Sequence, residues 1–222
     1  MEAPPAEVER SDHDHDGSER SDTWLAGTGD GTDPDRHVHV VLLGLPGAGT
    51  STVGRLLAHE LHRPYVDHDS IVGLEHDRRS DQTGDDTDAD TTVRDSDGAD
   101  PDLDALRRVL ATHGSVVYGA GCHAARSARP EDLSDAYVVW LDASPEVVAG
   151  RIGGRDHPAL GPEPLRALRE MAASVGRKTR EMCDLQVSVD DARPDEAAGE
   201  IRRAWRSHVE DLVAGDRQGR VP

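Results

Sequence analysis

Short apolar runs alternate with amphipathic stretches along most of this chain. The first apolar run, at 38–43, is largely apolar on both faces, which is typical of a central strand of a parallel sheet. These runs predict strands at 38–43, 65–66, 115–118, 136–141 and 185–189. Apolar residues spaced three or four apart predict helices at 51–62, 103–112, 164–182 and 194–213, with another helix starting at Ser144-Pro145-Glu146. The alternation predicts an α/β fold with a parallel sheet.

Two segments interrupt this pattern because they contain almost no large apolar residues. Residues 1–36 consist mainly of Asp, Ser, Glu, Gly and His, and they cannot bury enough surface to offset the entropy of ordering. Residues 77–102 form a second acidic run in which Val93 is the single large apolar residue before Leu103. We therefore expect a disordered tail at 1–36, one domain at 37–213 with an acidic insertion at 77–102, and a C-terminal tail at 214–222.

Charge narrows the range of partners. The 222 residues include 44 Asp and Glu against 25 Lys and Arg, which gives a formal net charge of −19. A negative field of this size opposes nucleic-acid binding, since phosphate contacts require cations. No apolar run approaches the roughly 18 residues of a membrane span. We expect a cytoplasmic monomer that binds neither nucleic acid nor membrane. The acidic, lysine-poor composition fits a high-salt cytosol and a GC-rich genome equally well.

A glycine-rich loop between the first predicted strand and the first predicted helix is the strongest functional signal. It reads GLPGAGTST from Gly44 to Thr52. Strand, glycine loop and helix in this order form a P-loop, in which backbone N–H groups and the helix N-terminus surround phosphates. Ser51 stands where a hydroxyl would bind Mg²⁺. The residues predicted to bind the nucleotide are Gly44, Gly47, Ala48, Gly49, Thr50, Ser51 and Thr52.

Thr50 stands at the place where this loop usually carries lysine. A cation there bridges the β- and γ-phosphates and offsets charge during phosphoryl transfer. Threonine offers only a neutral hydrogen bond, so electrostatics predicts that nucleotide binding survives better than catalysis. Arg55, Arg151 and Arg155 are the cations that could act in its place from elsewhere in the chain.

Two carboxylates, Asp67 and Asp69, follow the second predicted strand. In parallel α/β sheets, ligand groups lie at the carboxyl ends of the strands. Solvated loop acids are the alternative interpretation, but this position favours a role in ligand binding.

At these residues the chain resembles the shikimate kinases. That family typically shows a glycine loop, a GR-x-LA helix and a D-x-D pair, as at residues 44–69 here. Later segments are similar to its triple-glycine substrate loop, to its nucleotide-side strand and helix, and to its final strand and helix: VVYGAGC, YVVWLDASPEVVAGRI and DLQVSVDDARPDEAAGEI. The resemblance covers roughly Val38 to Trp205. It implies a three-layer α/β/α sandwich of the nucleoside-monophosphate-kinase type, a P-loop NTPase fold.

The resemblance also implies a mechanism. ATP and Mg²⁺ would occupy the glycine loop, and a small hydroxylated substrate would accept the γ-phosphate. Asp67 would be catalytic and would bind Mg²⁺ together with Ser51. Arg151 would stack on the adenine, and Arg155 would close over the phosphates as a catalytic lid residue. The substrate would be bound by Asp69, Gly119, Ala120 and Gly121.

Several residues depart from the family pattern and leave alternatives open. Besides Thr50, Ala120 interrupts the glycine triplet, and residues 157–160 read HPAL where the family tends to read R-P-L-L. Candidates for the substrate arginines are offset, at Arg94, Arg177 and Arg180. The alternatives are a kinase with weakened or lost activity, a non-catalytic P-loop protein that binds a nucleotide or regulates a partner, and a nucleoside monophosphate kinase. For the last, the GAGTST loop is similar to the G-S-G-T-T-T loop of archaeal-type cytidylate kinases.

Overall fold

The computed structural model describes residues 38–71, 100–111, 114–153 and 160–219. Several predictions fall outside these residues or on side chains that are not described. They concern the tail at 1–36, the insertion up to residue 99, the lid residue Arg155, and the substrate-arginine candidates Arg94, Arg177 and Arg180.

Five parallel strands form one sheet in the order β2-β3-β1-β4-β5. The strands are β1 (His39–Gly44), β2 (Tyr65–Asp67), β3 (Val117–Gly119), β4 (Ala136–Asp142) and β5 (Leu185–Ser188). All six residues of β1 are buried, because β1 is the central strand and both of its faces are covered. The predicted parallel sheet is therefore confirmed.

Helices cover both faces of the sheet. They are α1 (Thr50–Leu61), α2 (Pro101–Leu110), α3 (Gly121–Ser127), α4 (Pro145–Ile152), α5 (Pro164–Glu181) and α6 (Pro194–Gly219), with a 3₁₀ helix at Pro130–Leu133. No helix among the described residues is long and apolar enough to cross a membrane.

The side chains of β1 divide the interior into two cores, because successive residues of a strand point to opposite faces. Val40 and Leu42 pack with α1, α4 and α6 on one face. Val41 and Leu43 pack with α2 and α3 on the other. Helix α5 contributes to both cores, through Leu168 and Val175. This arrangement confirms the three-layer sandwich.

Helix α2 begins inside the predicted acidic insertion, at Pro101. Asp100 caps it, since its Oδ1 accepts hydrogen bonds from the backbone N–H groups of Asp102 (3.0 Å) and Leu103 (3.4 Å). Aspartate at the N-cap followed by proline is a strong helix start. The predicted insertion boundary at Asp102 therefore lies within α2.

Two other helices differ from the prediction. Helix α3 was not predicted, since GCHAARS is short, starts with glycine and has only small apolar residues, which give no helical stripe. Helix α6 continues to Gly219, beyond the predicted end at Val213, so residues 214–219 are helical instead of a tail. The other predicted elements lie within two residues of the observed ones at their ends, including the helix predicted at 164–182, which the structure ends at Glu181.

We predict that Leu42→Ala lowers the free energy of unfolding by about 2–5 kcal/mol. Leu42 is wholly buried in the central strand, so the substitution leaves a cavity between the sheet and α1. Urea unfolding followed by circular dichroism measures the change. Leu56→Ala, on the outer side of α1 where Leu56 is 39% exposed, is the matched control and should cost only about 0.5 kcal/mol. Equal losses in the two variants would contradict the assigned core.

Candidate active site

The carboxyl ends of three neighbouring strands bring the predicted site residues to one edge of the sheet. Gly119 is in register with Asp67 on one side and with Leu42 on the other. The backbone then continues into the glycine loop after β1 and into α3 after β3. The D-x-D residues, the Gly119–Gly121 segment and the P-loop are therefore adjacent, as the carboxyl-end rule predicts.

The glycine loop has a backbone that exposes N–H groups at the start of α1. Gly47 and Gly49 have φ of 85° and 101°, values that favour glycine. The first intrahelical hydrogen bond runs from Val53 N to Gly49 O, so the N–H groups of residues 50–52 have no partner within the helix. Among the described residues no side chain caps Gly49, and the first turn holds no acidic residue. This end of the helix suits an anion.

A cavity of about 260 Å³ lies beside the glycine loop. We call it the loop cavity. Arg151 forms part of its wall, because its Nη2 donates to the carbonyl oxygens of Val189 and Asp190, at 2.9 Å for the latter. The cavity is lined by Gly47, Ala48, Gly49, Thr52, Val53, Arg151, Val189, Ala192, Pro194 and Ala197. Five of the eight residues predicted to contact the nucleotide thus share one mostly apolar cavity, including the arginine expected at the adenine.

One carboxylate oxygen joins the P-loop to the D-x-D segment. Asp67 Oδ2 accepts hydrogen bonds from Ser51 Oγ at 3.1 Å and from Tyr65 Oη at 3.3 Å. The guanidinium of Arg55 lies 3.7 Å from the same oxygen. The Asp67 side chain is 18% exposed, so it remains accessible to a ligand. The two residues predicted to bind a metal, Ser51 and Asp67, are therefore in direct contact.

This donor set fits Mg²⁺, which prefers hard oxygen ligands. Mg²⁺ in kinases is usually held by one or two protein oxygens together with substrate phosphates and water, and not by a cage of side chains. Within the described residues no group of three or more His, Cys, Asp or Glu side chains has metal-binding geometry. A hydroxyl and a carboxylate next to a phosphate loop match the Mg²⁺ pattern.

Tyr65 supports this site, although the sequence indicated only that it starts a strand. Its ring occupies the space that two glycines leave open, since a Cβ at Gly54 would lie 2.4 Å from Tyr65 Cε2 and one at Gly119 would lie 2.3 Å from Tyr65 Oη. Arg55 covers the ring at 5.3 Å from its centroid. Burial raises the pKa of Tyr65 to about 12, so the hydroxyl stays protonated and donates to Asp67.

The predicted substrate residues differ in what they present to a ligand. Asp69 is exposed, and a Cβ at Gly121 (φ 64°) would point into open space. The space beside Gly119 is filled by Tyr65 instead of a ligand. Ala120 is wholly buried and its side chain packs in the core with Leu43. Its methyl group therefore belongs to the core.

The fold and the site together define a P-loop kinase, in which a glycine loop after the central parallel strand lies beside Asp67 at the end of β2. A family model described as shikimate kinase matches residues 46–206. The chain belongs to the shikimate kinase family, whose members are ATP-dependent kinases of small molecules.

Curated relatives agree with this family. The shikimate kinase of Symbiobacterium thermophilum is 34% identical over 149 residues, which cover 62% of this chain and 78% of that protein. The shikimate kinase of Pseudomonas fluorescens is 32% identical over 165 residues, 70% of this chain and 89% of that protein.

Solved structures show the same fold at lower sequence identity. Shikimate kinase from Acinetobacter baumannii in complex with shikimate matches with a TM-score of 0.58 and 22% identity, covering 77% of this chain and 94% of that one. A gluconokinase from Sinorhizobium meliloti 1021 matches with a TM-score of 0.59 and 22% identity, covering 81% and 97%.

We predict that Gly119→Ala displaces Tyr65 from Asp67 and lowers the free energy of unfolding by about 1–3 kcal/mol. The added methyl would meet the Tyr65 hydroxyl at 2.3 Å, and Gly54 closes the other side of the ring. Tyr65→Phe should therefore recover part of the loss when combined with Gly119→Ala. Chemical denaturation of the two single variants and the double variant measures this coupling.

Gly150→Ala is the matched control for this cycle. Gly150 lies in α4, and a Cβ there would meet nothing within 4 Å. Its replacement should stabilise the protein by about 1 kcal/mol through helix propensity. Additive effects of Gly119→Ala and Tyr65→Phe would contradict the packing described for Tyr65.

Proposed function

We propose that this protein transfers the γ-phosphate of ATP to a hydroxyl group of a small polyhydroxylated acid, with shikimate as the first acceptor to test. The family and the fold support an ATP-dependent small-molecule kinase. The named activity of the two curated relatives supports shikimate as the acceptor. We further propose that the protein acts as a monomer in the cytoplasm and does not bind nucleic acid, in keeping with its net charge of −19.

The hydrogen bond between Ser51 and Asp67 is the observation that carries this proposal. It joins the start of α1, where phosphates bind in P-loop proteins, to the strand end that carries Asp69. An acceptor hydroxyl held at Asp69 would therefore lie beside the end of the phosphate chain. Catalysis of phosphoryl transfer depends mainly on such positioning and on charge neutralisation.

Each residue has a role that follows from its position. Ser51 and Asp67 would hold Mg²⁺, which neutralises phosphate charge when bound. The N–H groups at the start of α1 would bind phosphate oxygens, and Arg151 would contact the adenine in the loop cavity. Asp69 would orient the acceptor hydroxyl. Tyr65 would keep Asp67 directed toward Ser51.

Arg55 supplies positive charge in this arrangement, where Thr50 supplies none. Its guanidinium is 66% exposed and lies 3.7 Å from Asp67 Oδ2, so it can turn toward phosphate oxygens while the ring of Tyr65 supports it. A mobile arginine at the second turn of α1 is a poorer match to the phosphates than a lysine built into the loop. We therefore expect slow turnover.

The threonine at position 50 favours a second candidate function, a P-loop protein that binds Mg·ATP without transferring phosphate. Loss of the loop cation should weaken catalysis more than binding, because backbone N–H groups carry much of the binding. The two functions differ in one measurable respect. Both predict thermal stabilisation by Mg·ATP, but only the kinase releases ADP when an acceptor is present.

We predict that Thr50→Lys raises kcat about 100-fold with the correct acceptor, because it restores a cation that stabilises charge in the transition state. ADP release with shikimate, other hydroxylated acids, sugars and nucleoside monophosphates, in low and high salt, measures it. Turnover with a nucleoside monophosphate would assign the acceptor class to nucleotides. No turnover by either protein with any acceptor, combined with Mg·ATP stabilisation, would establish the non-catalytic function instead.

We predict that Arg55→Gln lowers kcat about tenfold in the native protein and less in the Thr50→Lys background. The native loop depends on Arg55 for charge, whereas the lysine variant does not. Arg206→Gln, at an exposed position of α6, is the control for a lost surface cation and should leave kcat unchanged. Equal effects of Arg55→Gln in both backgrounds would show that Arg55 does not compensate for the missing lysine.

A further inference from the structure

Three consecutive residues have different surroundings: the last residue of β2 and the first two residues of the helical segment 68–71. Asp67 contacts Ser51 of the P-loop, and Asp69 is exposed at the acceptor edge. His68, between them, turns into the protein and is only 6% exposed. His68 is thus a buried residue between two candidate site residues in the sequence. Because its ring nitrogens are away from water, they need hydrogen-bond partners within the protein.

Both ring nitrogens of His68 have partners. Nδ1 lies 2.5 Å from Tyr118 Oη, and Nε2 lies 2.9 Å from Asp102 Oδ1. The Asp102 carboxylate only accepts hydrogen bonds, so Nε2 carries a proton and donates it to Asp102. In the tautomer with its single proton on Nε2, Nδ1 accepts from the Tyr118 hydroxyl. Burial, together with the charges of Asp102, Asp67 and Asp69, raises the pKa of Tyr118, so its hydroxyl keeps the proton that it donates.

The hydrogen bonds among Tyr118, His68 and Asp102 connect the segments around Asp69, the residue proposed to bind the acceptor. Tyr118 lies in β3, directly before Gly119. Asp102 lies in the first turn of α2, whose cap residue Asp100 accepts a hydrogen bond from Ser127 of α3. Through these bonds the D-x-D segment is held to β3 directly, to the start of α2 through Asp102, and to α3 through the cap of α2.

This chain of hydrogen bonds affects Asp69, the residue proposed to bind the acceptor, and not Asp67, which contacts the P-loop. Asp67 has its own partners in Ser51, Tyr65 and Arg55, which hold it whatever His68 does. Asp69 follows His68 directly, and none of those three residues holds it. His68 and Asp69 belong to the same helical segment, 68–71, so a shift of the His68 ring would also move the backbone of Asp69.

We propose that His68 is a positioning residue for the acceptor substrate. The hydrogen bonds of its ring to Tyr118 and Asp102 fix the position of Asp69, whose carboxylate binds the substrate. This role rests on the proposed kinase function. A buried polar chain costs desolvation, and it fixes a single geometry only when every member is paired. Loss of one partner leaves the others unsatisfied and lets the segment move.

The test compares His68→Asn with His39→Asn. His39 is also buried, at 5% exposure, but lies at the opposite end of the sheet, at the start of β1. His68→Asn should raise KM for the acceptor about tenfold and leave KM for ATP within about twofold of the native value. His39→Asn should reduce stability without changing either KM. Equal changes of acceptor KM in both variants would overturn the proposal, as would a change in ATP KM alone.

Conservative variants separate the hydrogen bonds from general packing. Asp102→Asn keeps an oxygen that accepts from Nε2, so its acceptor KM should stay near the native value. Asp102→Ala removes that oxygen and should behave like His68→Asn. Tyr118→Phe keeps the ring but removes the hydroxyl, and should raise acceptor KM by several-fold. Indistinguishable acceptor KM values for Asp102→Asn and Asp102→Ala would overturn the proposal.

Nuclear magnetic resonance of ¹⁵N-labelled histidine separates failure of this proposal from failure of the proposed function. It needs no substrate, and His68→Asn identifies the resonances by their loss. A neutral ring protonated at Nε2, whose Nδ1 resonance moves in Tyr118→Phe, supports the chain. A His68 ring that does not respond to Tyr118→Phe overturns the proposal even if the enzyme is active. An intact chain in a protein without turnover contradicts the kinase function instead.

Discussion

The oxygen Oδ2 of Asp67 is the point on which the candidate site depends. It accepts hydrogen bonds from Ser51 of the P-loop and from Tyr65 of its own strand, and it pairs with the guanidinium of Arg55 in α1. Each donor belongs to an element that the parallel sheet brings to the same edge, so the contact exists only because β1, β3 and β2 are adjacent. This one carboxylate links the glycine loop to the D-x-D segment.

Local patterns made much of this predictable from sequence. The glycine loop is contiguous, from Gly44 to Thr52, and lies between an apolar strand and an amphipathic helix, so its role follows from neighbouring residues. The proximity of Ser51 and Asp67 follows from a general rule about the carboxyl ends of parallel strands. Five residues predicted to contact the nucleotide line one cavity, four of them because they are neighbours in the glycine loop and at the start of α1. Apolar runs and the regular spacing of apolar residues also predicted most of the strands and helices.

Other features could not be predicted because they depend on residues far apart in the sequence. Tyr65 acquires its role only because Gly54 and Gly119 leave room for its ring, and no local pattern connects these positions. In the sequence, Ala120 interrupts a glycine triplet, whereas in the structure its methyl group lies in the core. His68 precedes the acidic segment, whereas its partners, in α2 and β3, follow it.

The hydrogen bond between His68 and Asp102 also joins the residues that precede and follow the segment at 72–99. Helix α2 then starts from a cap of its own at Asp100. Both junctions of that segment are thus fixed by contacts among the residues on either side of it. A change in the length of that segment would therefore leave in place the hydrogen bonds that join His68 to Asp102 and Asp100 to the first turn of α2.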